Sequence, residues 1–188
     1  HITILIVLAA YFLIQDSLVS AGYTTILAKQ VALLFLVALL IIFLILEYFR
    51  LELGWKMPFF AQFIRPKEQN KMYGVIYFLS ATIISLAVFD HRIALAALLM
   101  TTFGDMLAAL VGKRYGTTLI YRNKTWAGFL AELGTNLIVG FFVLSNIYVI
   151  LVMALVATIV ETLVDELDDN LLIPIFAGFA GQIIFFSL

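Results

Sequence analysis

The run from Thr102 to Gly116 contains the most informative grouping of polar side chains in this chain. It places the carboxylate of Asp105 within an apolar stretch, and Gly112 and Gly116 then flank two cations. An ionisable group in a membrane-spanning segment rarely lacks a functional reason. Backbone exposed by glycine beside Lys or Arg is typical of a site for phosphate oxygens. We therefore expect this run to hold a phosphate-bearing ligand at a membrane surface.

Lys124 and Thr125 form a second polar group, at the predicted start of the next apolar stretch. Thr is a common helix N-cap, and the free amides of a first helical turn attract anions. A plain N-cap with flanking positive charges is the alternative interpretation. Glu132 and Asn136 follow on one face of the same stretch. Because a carboxylate in lipid is costly, Glu132 is expected to hold a metal, pair with a cation or accept a proton.

Carboxylates also cluster between residues 161 and 169. Glu161, Asp165 and Asp168 are spaced i, i+4 and i+7, which predicts one helical face on which like charges repel. A divalent cation would relieve this repulsion, and oxygen ligands without cysteine indicate Mg²⁺. A solvated acidic helix end is the alternative, and we favour it for Glu166 and Asp168. Glu161 lies too deep in the apolar stretch for that interpretation.

A fourth polar group precedes the third apolar stretch. Glu47 and Arg50 are spaced i, i+3 and are expected to pair with each other. Arg65, Lys67 and Lys71 could contact ligand phosphates, or they could contact only anionic lipid headgroups.

The composition requires these polar groups to lie in a membrane protein. The chain has 188 residues, of which 64% are hydrophobic and 12% charged, whereas soluble domains are about half apolar and about a quarter charged. It has no cysteine, which excludes disulfides and thiolate metal sites. Its net charge of −1 gives no indication of a nucleic-acid partner, and we expect none. The chain contains no GxxxxGK[ST] phosphate loop and no HExxH motif. The oligomeric state is not predicted.

Apolar segments of about 20 residues can span a bilayer. They predict an all-α bundle of about seven transmembrane helices, forming a single domain over residues 1–188. We place the helices at residues 2–20, 29–49, 72–90, 92–112, 125–145, 146–165 and 170–188. Aromatic residues repeat every four positions after the second helix, which predicts a short interfacial helix at about 53–64.

Basic residues fall mostly on one side of this predicted topology. Nine of the eleven Lys and Arg residues lie in alternate connections, and only Lys29 and Arg92 lie on the opposite side. The positive-inside rule assigns the richer side to the cytoplasm. The N-terminus is therefore predicted to be cytoplasmic, and the four polar groups are predicted to face the cytoplasm together.

The motifs, taken in chain order, resemble a known family. They are Arg65-Pro-Lys-Glu68, Gly104-Asp-Met-Leu-Ala-Ala-Leu-Val-Gly-Lys-Arg-Tyr-Gly116, Lys124-Thr-Trp-Ala-Gly128, Glu161 and Asp169-Asn-Leu-Leu-Ile-Pro174. The set resembles the membrane-embedded CTP-dependent lipid kinases, which include dolichol, phytol and farnesol kinases and the fungal-type diacylglycerol kinases. That family is related to the phosphatidate cytidylyltransferases. It usually has Glu immediately before the glycine of the Lys-Ser/Thr motif, whereas this chain has Ala127 there and Glu132 further along.

The resemblance implies a kinase that transfers the γ-phosphoryl group of CTP to a membrane lipid alcohol, with Mg²⁺ as its metal. The alcohol would be a polyprenol such as dolichol, a phytol-like isoprenoid or diacylglycerol. The implied catalytic residues are Asp105, Lys124 and Asp169. The implied nucleotide-binding residues are Arg65, Lys67, Gly112, Lys113, Arg114, Gly116, Lys124, Thr125 and Asn170. The implied metal ligands are among Asp105, Glu161, Asp165 and Asp169.

Two other functions remain open on the sequence. A cytidylyltransferase would also use CTP and Mg²⁺, but its lipid phosphate would attack the α-phosphate. An ion-coupled transporter could use Asp105, Glu132 and Glu161 as a proton or cation path. The longer charged signature of the phosphatidate enzymes is not apparent, and we find no paired repeat of broken helices typical of transporters. The lipid kinase is therefore the preferred prediction.

Overall fold

The computed structural model describes residues 2–54, 72–164 and 168–188. Within these ranges the chain forms seven α-helices and one short hairpin. The elements are α1 (Ile2–Ser20), α2 (Thr25–Leu51), α3 (Gly74–Val88), α4 (His91–Tyr115), β1 (Leu119–Tyr121), β2 (Lys124–Thr125), α5 (Trp126–Val143), α6 (Ile147–Leu163) and α7 (Asp169–Ser187). The predicted all-α class is therefore confirmed.

Four of these helices are long and apolar enough to cross a membrane, namely α2, α4, α5 and α7. Three further apolar segments are shorter: Leu5–Ser20, Gly74–Val88 and Ile147–Leu163. The chain is therefore an integral membrane protein. The count of about seven spans, the cytoplasmic N-terminus and the single domain stay predictions.

The residues from Ile2 to Ile83 form one compact unit. In it α1 packs against α2. Glu47, near the end of α2, is buried and accepts hydrogen bonds from Arg50 Nε at 2.8 Å and from the backbone N–H of Tyr73 at 3.0 Å. The predicted pairing of Glu47 with Arg50 is thus confirmed, and it joins the end of α2 to the residue before α3.

The residues from Ile84 to Leu188 form the second compact unit. In it α4 packs against α5 and α7, and α6 packs against the same two helices. Small residues let α4 and α5 approach closely, because a Cβ added at Gly128 would lie only 3.1 Å from the carbonyl oxygen of Ala108. Gly104, Ala108 and Gly112 are spaced i, i+4 and i+8 along α4, and this stripe of small residues serves helix packing.

The fourth helix continues past the glycine at which the sequence predicted its end. It extends to Tyr115, and the N–H of Gly116 bonds to the carbonyl oxygen of Gly112 at 3.0 Å. Lys113 and Arg114 therefore occupy the last helical turn, where cations interact favourably with the helix dipole. The sequence had indicated a break at Gly112 with these two cations beyond it. The structure instead places both cations within the helix.

The hairpin between α4 and α5 was not predicted. Its strands pair antiparallel, with Leu119 opposite Thr125 and Tyr121 opposite Lys124. Arg122 in the turn has a φ of 46°, which lies in the left-handed region that non-glycine residues seldom adopt. Strands this short show no hydrophobic alternation in the sequence, so periodicity could not reveal them.

The predicted acidic helical face is wrong. Because α6 ends at Leu163 and Asp168 is the N-cap of α7, Glu161 and Asp168 do not share one helix. Breaking the helix separates charges that would repel one another when stacked. The predicted metal ligand Asp165, the predicted nucleotide contacts Arg65 and Lys67, and nearly all of the predicted interfacial helix lie outside the described residues.

Candidate functional site

Three carboxylates from three different helices meet in the second unit. Asp105 belongs to α4, Glu161 to α6 and Asp169 to α7. One oxygen of each side chain lies within 4.8 Å of an oxygen of both others. Oxygen-only donor sets of this kind suit a hard divalent cation such as Mg²⁺. The three residues lie in separate sequence motifs, and the resemblance had implied them, together with Asp165, as metal ligands.

Lys124 brings a positive charge to this cluster from the hairpin. Its ammonium group forms an ion pair with Glu161 Oε1. The Lys124 side chain is 38% exposed, whereas Glu161 is almost fully buried. Burial lowers the pKa of Lys124, but the three neighbouring carboxylates outweigh burial and raise the pKa overall above its ordinary value. Lys124 is therefore positively charged at neutral pH. Its side chain lies partly exposed at the edge of the carboxylate cluster.

The second oxygen of Glu161 is a candidate ligand for a cation. Glu161 is 2% exposed, and its Oε2 is buried with no hydrogen-bond partner in the described part of the chain. Buried acceptors are usually satisfied, so an orphan acceptor calls for an explanation such as an ion. The oxygen donor set and this orphan oxygen both fit Mg²⁺.

The N-terminus of α7 orients the third carboxylate. The backbone N–H of Asn170 bonds to Oδ1 of Asp169 at 2.9 Å and to Oδ1 of Asp168 at 3.0 Å. The side-chain nitrogen Nδ2 of Asn170 donates to the same two oxygens, at 3.1 Å to Asp169 and at 2.8 Å to Asp168. The predicted nucleotide contact Asn170 thus holds Asp169 in place, and Asp168 caps the helix.

Thr125 is the N-cap of α5, as the sequence predicted, and accepts from the N–H of Gly128 at 3.2 Å. The same side chain occupies the space beside two glycines of α4. A Cβ added at Gly112 would lie 3.1 Å from Thr125 Oγ1, and one added at Gly116 would lie 2.6 Å from it. A side chain at position 116 would therefore clash at the junction of α4 with α5, and Gly112 makes a tight contact there. Their contact with nucleotide stays a prediction.

Lys113 and Arg114 differ from Lys124 in their surroundings. Both are exposed in the last turn of α4, and the Arg114 guanidinium lies 5.6 Å from the centre of the Tyr115 ring. Within residues 2–54, 72–164 and 168–188, neither forms an ion pair with the carboxylate cluster. Their contact with phosphate stays a prediction.

A buried polar network lies beside the cluster, and the sequence indicated only part of it. Glu132 and Asn136 of α5 share a helical face, as predicted, and are 2% and 0% exposed. Asn136 Nδ2 donates to Thr158 Oγ1 of α6 at 3.1 Å and contacts Glu132 Oε1 at 3.5 Å. Sequence reasoning missed Thr158, because a lone Thr in an apolar helix gives no signal of its partner.

Comparison with known proteins adds independent information. The CTP-dependent diacylglycerol kinase 1 of Saccharomyces cerevisiae is 32% identical over 124 residues, which cover 58% of this chain and 41% of the yeast protein. Its namesake in Schizosaccharomyces pombe is 36% identical over 69 residues, covering 36% of this chain and 32% of that protein. An uncharacterized protein of Methanocaldococcus jannaschii is 33% identical over 118 residues, covering 61% of this chain and 60% of that protein. No family model and no solved structure matches the chain.

The chain thus spans less than two thirds of the length of these relatives. The similarity to the fungal kinases agrees with the resemblance that the ordered motifs indicated. Over part of its length, the chain is thus similar to the CTP-dependent diacylglycerol kinases of fungi.

Proposed function

We propose that this chain is a phosphotransferase that moves the γ-phosphoryl group of CTP to a membrane lipid alcohol. One observation carries the proposal: the carboxylates of Asp105, Glu161 and Asp169 converge next to Lys124. The fungal relatives are named for CTP and diacylglycerol, so diacylglycerol is the first acceptor to test. Polyprenols and phytol-like alcohols are the alternatives within the same chemistry.

Asp105, Glu161 and Asp169 are the residues that would hold Mg²⁺, and Asp165 is a further predicted ligand. The metal held by these residues would supply positive charge to neutralise the phosphates during phosphoryl transfer. The three ligands come from α4, α6 and α7, so packing of the whole second unit sets their spacing. Binding of the phosphates and acceptance of the hydroxyl proton are assigned to protein side chains.

Lys124 is proposed to bind the β- and γ-phosphates of the nucleotide. Its ammonium group stays protonated at neutral pH because the carboxylates raise its pKa overall. Its partial exposure lets it meet a ligand that arrives from outside the bundle. A preorganised cation stabilises charge that develops in the transition state without reorganising at that moment. Arg65, Lys67, Lys113 and Arg114 are proposed to supply further positive charge to the nucleotide.

The acceptor hydroxyl is proposed to enter from the bilayer at headgroup depth. Its oxygen forms a bond to the γ-phosphorus while the bond from that phosphorus to the bridging oxygen of CDP breaks. The hydroxyl proton passes to a carboxylate, for which Asp105 and Asp169 are the candidates. The products are a lipid phosphate and CDP. By the positive-inside rule, we propose that this chemistry faces the cytoplasm.

A lipid-product assay on the purified protein in detergent tests the proposal. The assay supplies Mg²⁺, CTP labelled separately at the γ and α positions, and diacylglycerol, polyprenol, phytol and phosphatidate in turn. We expect label from the γ position in one lipid alcohol, and we expect Asp105→Asn to abolish it. Label from the α position in phosphatidate would replace the kinase with a cytidylyltransferase. No transfer from CTP or ATP to any of these lipids would overturn both enzymes and favour an ion-coupled transporter.

A further inference from the structure

We infer that Asn136 is a positioning residue that holds Asp105 and Glu161 at the spacing needed to bind a divalent cation. The inference rests on the proposed function in one respect, since it takes those two carboxylates to be metal ligands. Asn136 itself is fully buried in α5 and belongs to none of the motifs that resemble the kinase family.

The hydrogen bonds fix the orientation of the Asn136 amide. The hydroxyl of Thr158 donates to the carbonyl oxygen of Ala154 at 2.9 Å, so Thr158 Oγ1 has only lone pairs to offer to Asn136. Asn136 Nδ2 must therefore donate to Thr158 Oγ1, and its second hydrogen faces Glu132 Oε1. The Asn136 Oδ1 atom consequently points away from both partners.

That Oδ1 atom lies against α4. A Cβ added at Gly104 would be 2.5 Å from Asn136 Oδ1 and 3.2 Å from Glu132 Cγ. Real Cβ atoms do not come this close to an oxygen, so only glycine allows α4 to approach α5 here. Oδ1 has no hydrogen-bond partner among the described residues. The Asn136 amide thus forms a hydrogen bond to α6 and packs closely against α4.

Each contact of Asn136 lies next to a carboxylate of the cluster. Gly104 directly precedes Asp105 in α4, and Thr158 lies three residues before Glu161 on the same face of α6. Asn136 therefore sets how far α4 and α6 are shifted along α5. Because functional constellations must be held within about 0.5 Å of their working geometry, a small axial shift would spread the ligands.

An apolar residue at position 136 would fill the same space without burying an unsatisfied acceptor. A single buried Asn is known to fix helix register at a cost in stability. This precedent favours a role for Asn136 in setting the axial positions of α4 and α6 along α5 over a role in overall stability. The two roles predict different results when metal binding and thermal stability are measured separately.

The first test measures Mn²⁺ binding to the purified full chain in detergent, by electron paramagnetic resonance and without nucleotide. Asn136→Asp keeps the shape of the side chain but places an acceptor against Thr158 Oγ1 and Glu132. Thr158→Val removes the acceptor instead, and it adds no charge if Asn136→Asp does not fold. We expect about 10-fold to 100-fold weaker Mn²⁺ binding in each variant, the range found when a residue supporting a metal ligand is lost.

Gly134→Ala is the matched control. It lies in α5 between Glu132 and Asn136, and a Cβ added there meets no atom within 4 Å. It should bind Mn²⁺ like the unmodified chain, whereas Gly104→Ala should weaken binding. If the Asn136 and Thr158 variants melt at a lower temperature yet bind Mn²⁺ with unchanged affinity while folded, Asn136 is structural and the inference fails.

A second measurement reads the geometry without any metal. The chain has no cysteine, so the double variant Asp105→Cys, Glu161→Cys offers a single thiol pair to the short cross-linker dibromobimane. Adding Asn136→Asp should lower the cross-linking yield several-fold, and adding Gly134→Ala should not. Equal yields would overturn the inference. Failure of the unmodified chain to bind Mn²⁺, with the cross-linking difference intact, would instead count against the proposed metal site.

Discussion

Two buried glutamates, each paired with a cation, show how differently the same chemistry is used in the two units. In the first unit Glu47 pairs with Arg50 only one turn away, and both of its carboxylate oxygens accept hydrogen bonds. In the second unit Glu161 pairs with Lys124 from the distant hairpin, and one of its oxygens has no partner among the described residues. The first pair is saturated, and the second has capacity left to bind a ligand.

The neighbours of the two pairs sharpen this contrast. The Arg50 guanidinium lies 4.4 Å from the centre of the Tyr73 ring, so an aromatic face covers the cation. Around Glu161 the neighbours are two more carboxylates. Removing one partner of a saturated buried pair is costly, whereas carboxylates held close together disfavour one another's charged form. A buried carboxylate therefore indicates a ligand site only when its neighbours leave one of its oxygens without a hydrogen bond, as for Glu161 and not for Glu47.

The largest expected effect is on catalysis, in Glu161→Gln. The amide keeps the shape of the side chain but removes the charge of a proposed metal ligand, so transfer of the γ label should fall on the order of 10³-fold. Initial rates at saturating CTP would measure the loss. A variant that retained most of its activity would show that the orphan oxygen is not part of the active site.

The second effect is on stability, in Glu47→Gln. It removes one charge of a buried pair, which we expect to destabilise the fold by about 3 kcal/mol. Unfolding in mixed micelles of rising SDS content would measure it. The rate per folded molecule should stay near that of the unmodified chain. If Glu47→Gln instead reduced the rate as severely as Glu161→Gln while the protein stayed folded, the distinction between the two pairs would fail.

The smallest effect concerns pH and Lys124. Because its folded pKa is raised overall, the stability that its charge contributes is fully present below the pKa of the unfolded chain and is lost as pH rises through the folded pKa. Melting temperatures of the unmodified chain and of Lys124→Met should therefore differ by a constant amount from pH 7 to 9. The difference should shrink only at alkaline pH, above about 10.4. A difference that shrank near neutral pH would contradict a raised pKa.

The helices could be predicted from the sequence because each is a long apolar run with a recognisable boundary. The polar break before α6 is an example, since Asn146 caps that helix by accepting from the N–H of Tyr148. The residues Asp105, Glu161 and Asp169 could also be identified, because ionisable groups stand out in apolar surroundings. Their convergence could not be derived from spacing, since it depends on how three helices pack.

Other features of the site left too weak a signal in the sequence. The hairpin carrying Lys124 has strands of three and two residues, which is too short for a periodic pattern. The network around Asn136 depends on one Thr among many apolar residues of α6. The glycines of α4 were interpreted as a phosphate cradle, yet the structure places the side chain of Thr125 beside Gly112 and Gly116. Sequence chemistry alone did not distinguish a ligand from a neighbouring side chain.

The distribution of the three carboxylates over α4, α6 and α7 also has a consequence for biogenesis. During synthesis Asp105 enters the membrane first, and Asp169 emerges only after the whole of α6 has been made. A nascent chain therefore lacks one of the three proposed ligands until α7 has been made. On the proposed function, metal binding would wait for the insertion of α7.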